Sequence, residues 1–313
     1  MPAQSGVGLR KLSPAYGSLA RMGICANAAM PVVLALGAAF LFALGIQFTR
    51  KGLRYIDSRT GTLVSIGTAT LLYWAVSPWL LQRHYWLTPV IALFAAIGLF
   101  RPFLSSNLSM AGTRYLGATI SSTLASAAPV FGVALGVLML GELLGLGVAF
   151  GTAAIVAGVV VLSWRGDVSR AWPWWALMLP IGAACLRSVA QAFAKLGMES
   201  LPSPYFVGLV GYSVSFLVAA ADHRWRGAAL CTVFNRGCGW LVLTGASYGL
   251  AILSLNSALS CGRLSVVAPI VACAPLFTLL LGISLFRERA ITGRVVLAVL
   301  LVVPGVVLVS MDR

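Results

Sequence analysis

Carboxylates are scarce in this sequence, and none falls within an apolar run. The seven acids, Asp57, Glu142, Asp167, Glu199, Asp222, Glu288 and Asp312, all lie at the ends of such runs or between them. A mid-membrane carboxylate relay therefore has no members. The two histidines, His84 and His223, fall in short polar loops, and the six cysteines form no CxxC pair. That leaves no material for a histidine-based catalytic or metal centre, and no metal is expected. HExxH and GxxxxGK[ST] are absent as well, which removes the zinc-protease pattern and the phosphate-cradling loop that direct ATP drive would need. No catalytic residue and no cofactor is expected.

What the chain has instead is apolar surface. Of its 313 residues 60% are hydrophobic and 9% charged, with a mean hydropathy of +0.96, against roughly half and a quarter in soluble domains. This composition belongs to an integral membrane protein whose partner is the lipid bilayer. The net charge of +15 does not indicate nucleic acid, because the basic residues stand singly between apolar segments instead of clustering on a polar domain.

About 20 apolar residues in a helix span a hydrocarbon core. Ten runs of that order appear, at 30–49, 60–81, 88–112, 116–140, 145–164, 172–195, 203–221, 237–259, 264–286 and 293–311. Residues 1–29 read as a flexible tail, and the first run as a retained helix, since "TRKGLR" follows it where a signal peptide would show small cleavage-site residues. The chain then repeats itself. "APVFGVALGVLMLGE" (Ala128–Glu142) and "APLFTLLLGISLFRE" (Ala274–Glu288) share A-P-x-F-x4-G-x5-E at an offset of 146 residues. "FTRKG" (Phe48–Gly52) matches "FAKLG" (Phe193–Gly197) at 145, and "GVVVLS" (Gly158–Ser163) matches "GVVLVS" (Gly305–Ser310) at 147. A duplication at one offset divides the chain into 30–164 and 172–311. Five helices per copy is odd, so the second copy enters from the opposite face: an all-α fold of ten transmembrane helices in two inverted five-helix repeats, a recurring construction of secondary transporters.

The twin A-P-x-F…G…E segments and the basic-plus-glycine ends of helices 1 and 6 resemble the drug/metabolite transporter superfamily, specifically its ten-helix EamA-type permeases, over nearly everything but the tail. The resemblance implies a multi-pass protein of the inner or plasma membrane. Helices 1–4 and 6–9 would surround a central cavity, with 5 and 10 at the periphery, and small metabolites, often amino acids outward, would move by alternating access. It does not choose the substrate.

Arg101, in "GLFRPFLSSN", lies about a dozen residues from either end of helix 3, roughly 18 Å at 1.5 Å per residue, beyond the reach of snorkelling. An arginine there costs about 2.5–3.5 kcal/mol on the insertion scale and needs a compensating use. With no acid at that depth, the uses are an anionic ligand or backbone carbonyls freed near Pro102. Arg101, Ser105 and Ser109 recur at i, i+4, i+8 and form one polar stripe. Helix 6 repeats the theme with Arg187, Gln191 and Lys195, where a ligand and snorkelling towards the helix end are both open. Gln47 and Lys51 end helix 1, while Tyr248, Asn256 and Ser260 share a face of helix 8; such groups either bind substrate or join helices. The substrate-binding candidates are thus Arg101, Ser105, Gln47, Arg187, Gln191, Tyr248 and Asn256. Glu142 and Glu288 read as structural, complementing the dipole of the helix that follows each. Pro129, Pro275 and Pro304 read as kinks.

The small multidrug exporters of the same superfamily exchange protons for cationic drugs on a membrane glutamate, which this chain lacks. Arginines with hydroxyls and amides point to an anionic or zwitterionic solute, an amino acid or organic anion, held by bidentate guanidinium contacts. A flippase of a phosphate-bearing lipid-linked intermediate and a membrane-embedded enzyme are the alternatives. Orientation sets the sequence against the resemblance, which implies cytoplasmic termini. With Arg101 and Arg187 set aside, seven Lys and Arg fall on the terminal face and thirteen on the other, and the positive-inside rule places the termini outside.

Overall fold

The computed structural model describes residues 29–163, 174–225, 236–286 and 293–311; Glu288 and the 1–28 portion of the tail lie outside them. Twelve α-helical segments follow in order: α1 Met30–Gly52, α2 Ser58–Leu80, α3 Val90–Gly98, α4 Ser105–Ala125, α5 Ala128–Leu140, α6 Leu146–Ser163, α7 Met178–Ser200, α8 Pro204–Trp225, α9 Arg236–Cys261, α10 Leu264–Val271, α11 Ala274–Phe286 and α12 Gly293–Met311. The described residues contain no strand. Long apolar runs favour helix because every backbone N–H and C=O is then satisfied within the segment. Among the described residues seven helices are long and apolar enough to cross a membrane, and three shorter apolar helices, Val90–Arg101, Leu146–Leu162 and Val296–Met311, accompany them.

The breaks carry the information. The run read as one helix over 88–112 is interrupted at Leu99–Leu104, a π-helical turn in which Arg101 is extended (φ −140°, ψ 131°). The cause is local: Arg101 precedes Pro102, and a proline disfavours the α region for the residue before it. Helix α4 is not one straight rod either. A Cβ on Gly112 would lie 3.2 Å from Ser121 Oγ, although nine residues of straight helix rise roughly 13.5 Å, so the chain reverses within it. Pro129 and Pro275 do not kink a helix interior. Each stands second in a new segment, α5 or α11, after a two-residue turn, where a missing N–H costs nothing. Of the three, Pro304 stands in a helix interior, within α12.

Packing pairs elements across the halves: α1 lies on α9 and α4 on α7, α2 on α8, α5 on α10, and α6 on α12. The α6–α12 contact is close enough that a Cβ on Gly151 would sit 2.6 Å from Gly305 O and one on Gly305 2.8 Å from Gly151 O. The far sides of these two helices are apolar and open, with Phe150 66% and Leu300 64% exposed, as a lipid-facing surface requires. Since backbone must move to admit a side chain, Gly151→Val is expected to cost about 1–3 kcal/mol, read as a lower Tm in detergent.

Candidate functional site

A cavity of about 740 Å³ opens between the halves. Its polar wall is built by helix breaks and facing helices. Extended Arg101 puts its side chain into the cavity, and the carbonyls loosened by the break are taken by Ser215 of α8, whose fully buried hydroxyl donates to Gly98 O (2.5 Å) and Arg101 O (3.2 Å). The break is therefore satisfied by Ser215, and the Arg101 guanidinium is not needed to cap it. Ser105 and Ser109, on the first part of α4, line the same cavity.

Arg187 and Gln191, one turn apart on α7, face the cavity from the other half. Beside them Ser188, 2% exposed, donates to Ala128 O (2.8 Å) and fixes α7 against the start of α5. Arg101 and Arg187 thus line the same cavity from the two halves of the chain. Among the described residues neither guanidinium has a hydrogen-bond or carboxylate partner, and no Asp or Glu lines the cavity. Tyr248 and Asn256 of α9 complete the wall; Tyr248 packs directly against Gly45, and Asn256 Nδ2 donates to Pro204 O (3.2 Å).

Of the substrate-binding candidates, six line this one cavity and Gln47 does not. Gln47 is 3% exposed, its Nε2 donating to Thr278 O (2.6 Å) and its Oε1 accepting from Arg50 Nη1 (3.3 Å). It joins α1 to α11, the glue role that polar groups play between membrane helices. Lys51 lies over the Trp240 ring, 4.6 Å from its centroid. Ser260 turns to Ser257 O (2.8 Å).

The carboxylate of Glu142 caps a helix, but not the one that follows it. Its two oxygens accept from the N–H groups of Leu264 (2.7 Å) and Ser265 (2.8 Å), the start of α10 in the other half, and Oε1 also accepts from Lys195 Nζ (2.7 Å). Left-handed Gly141 ends α5 and swings Glu142 back, its N–H reaching Gly136 O (3.0 Å). Gly136, the glycine of the repeated motif, leaves the space: a Cβ there would lie 2.7 Å from Glu142 Oε2. Lys195 thus continues the α7 stripe in sequence only. It also donates to Gly262 O (2.7 Å), and Arg263 Nη1 to Leu143 O (3.2 Å). Burial raises the Glu142 pKa, but Lys195 and the Ser265 hydrogen bonds outweigh it and hold the carboxyl below its ordinary value.

Sequence reading passed over Tyr212, Phe42 and the serines of "SSTLAS", which all line the cavity. The serine run was a usable signal, being polar inside an apolar stretch; Tyr212 was not, because α8 is buried nearly all round over Tyr205–Tyr212. Helix α6 is also less peripheral than expected, since Ile155, Val156 and Val159 form part of the wall. His223 is not a solvated loop residue: it sits in the last turn of α8 at 7% exposure. The described residues contain no cluster of three or more His, Cys, Asp or Glu that could hold a metal.

Residues 29–164 match the model of the EamA-like transporter family. Over residues 29–164 the chain is therefore EamA-like. This EamA-like protein also shares its fold with a solved crystal structure at a TM-score of 0.75 and 15% identity, covering 90% of this chain and 97% of that one. No curated protein matches it. It is a multi-pass membrane protein, and the family matched over residues 29–164 is one of transporters.

Proposed function

We propose that this EamA-like protein is a permease, working as an exporter in the inner or plasma membrane, that moves a small anionic or zwitterionic metabolite by alternating access through the cavity between its halves. The observation that carries the reading is the charge balance of that cavity: two guanidinium groups and, among the described lining residues, no carboxylate. Buried positive charge of this kind is retained where an anionic group completes it. Ten transmembrane helices in two inverted repeats is the architecture we infer. It is supported by the repeated motif and by contacts that keep their pattern when the halves are exchanged: α1 on α9 answers to α4 on α7, and α2 on α9 to α3 on α8. Counterflow in proteoliposomes tests the function. Uptake of labelled organic anions or amino acids is expected, with cationic dyes not transported; dye uptake alone removes the reading, and competition by lipid extract but not by soluble metabolites would support a flippase instead.

Direction depends on orientation, and the excess of Lys and Arg on the opposite face supports termini outside the cytoplasm. A C-terminal alkaline phosphatase fusion is expected to be active and a C-terminal green fluorescent protein fusion dark; the reverse pattern restores cytoplasmic termini.

A further inference from the structure

The two guanidinium groups set a narrower demand than an anion in general. Arg101 and Arg187 come from different halves and line one cavity, and the described wall offers no acid to offset either. A single carboxylate on the substrate satisfies one of them and leaves the other buried without a counter-charge, which is unfavourable in a wall this apolar. A zwitterion does worse, because its ammonium meets two cations and no carboxylate. The aromatic rings are a weak substitute: Tyr212 is stacked on Tyr73 at 5.6 Å, which occupies one of its faces, and Phe42 is tilted against Tyr248 at 6.1 Å.

Resting on the permease reading above, we infer that the substrate is a soluble organic dianion with an apolar body, a dicarboxylate or a phosphate monoester, one negative charge answering each arginine. The guanidinium fork suits both chemistries, since carboxylate and phosphate oxygens match its geometry in bidentate fashion. The apolar body is set by the rest of the wall, where Ile97, Ile252 and Leu255 lie beside Phe42 and Tyr248. Arg187 is then the residue that distinguishes a dianion from a monoanion, while Arg101, held by the broken helix, takes the first charge.

The test is counterflow with a matched set of probes: succinate, phenylphosphate, butyrate, benzoate and phenylalanine, on the unmodified protein and on Arg187→Gln and Arg187→Lys. Monodispersity in detergent shows that each variant is folded. The unmodified protein is expected to prefer the dianions over matched monoanions by about 30-fold, the size of one desolvated charge pair at the low end. Arg187→Gln is expected to abolish that preference by lowering dianion uptake about tenfold or more beyond any loss of monoanion uptake, and Arg187→Lys, which keeps the charge without the fork, to restore part of it. Butyrate, benzoate or phenylalanine carried as fast as the dianions overturns the inference and leaves the permease reading standing. Equal loss of every probe in Arg187→Gln with no rescue by lysine overturns the assignment of Arg187. Uptake of cationic dyes with no uptake of any anion overturns the permease reading itself.

Discussion

Arg101→Gln is expected to lower exchange of the transported anion by about 30-fold or more while the protein still purifies as a folded monodisperse species. The size follows from truncating one partner of a buried charge pair, about 2–5 kcal/mol. The fold is expected to survive because the work Arg101 does for the structure is done by its backbone. Its extended conformation is imposed by the following proline, and its carbonyl accepts from Ser215, both of which glutamine retains. Its guanidinium meets no hydrogen-bond partner among the described residues, so removing it leaves no orphaned protein acceptor. Parallel measurement of counterflow and thermal unfolding separates the two effects. Unchanged transport would make Arg101 a structural arginine and return the substrate to open ground.

Glu142→Gln is expected to produce the opposite profile, a protein whose stability falls first. The carboxylate is 6% exposed and Lys195 17% exposed, so the substitution strands a largely buried ammonium, and breaking such a pair costs about 3–5 kcal/mol. Leu264 and Ser265 N–H also exchange a charged acceptor for a neutral one. Because the folded carboxyl is held below its ordinary value, its contribution is complete above the unfolded glutamate value, about pH 4.3, and is lost as pH falls through the lower folded value. Thermal unfolding against pH should therefore drop on the acid side in the unmodified protein and flatten there in Glu142→Gln. Gly136→Ala should reproduce part of the loss by pushing on Glu142 Oε2 without touching any charge. A Glu142→Gln protein as stable as the unmodified one would make the α5–α10 connection incidental.

Much of this was legible in the chain because membrane helices must be apolar, long and self-satisfied, and that signal is local. The apolar runs, the repeated motif, the arginine with no acid at its depth and the Arg187–Gln191 face needed only periodicity and count. The errors share a different cause. Gln47 at the end of α1 has the same local signature as Gln191 on α7, and only the neighbour across the interface, Thr278 O for one and open cavity for the other, separates glue from wall. Glu142 looked like a cap for the next helix because sequence proximity is the only proximity a sequence displays, whereas its partners lie 53, 122 and 123 residues away.

The sequence by itself determined the solvent, the apolar runs, the repeated motif and the charge inventory, since these depend on residue type and local spacing. It also carried the break at Arg101, in the proline that follows, although that break surfaced only with the backbone. The tertiary structure alone decided which polar groups are consumed by other helices and which are left facing one cavity. That is a question of long-range pairing: each polar side chain in lipid must find a partner, and whether the partner is protein or substrate depends on what the fold brings within hydrogen-bond reach.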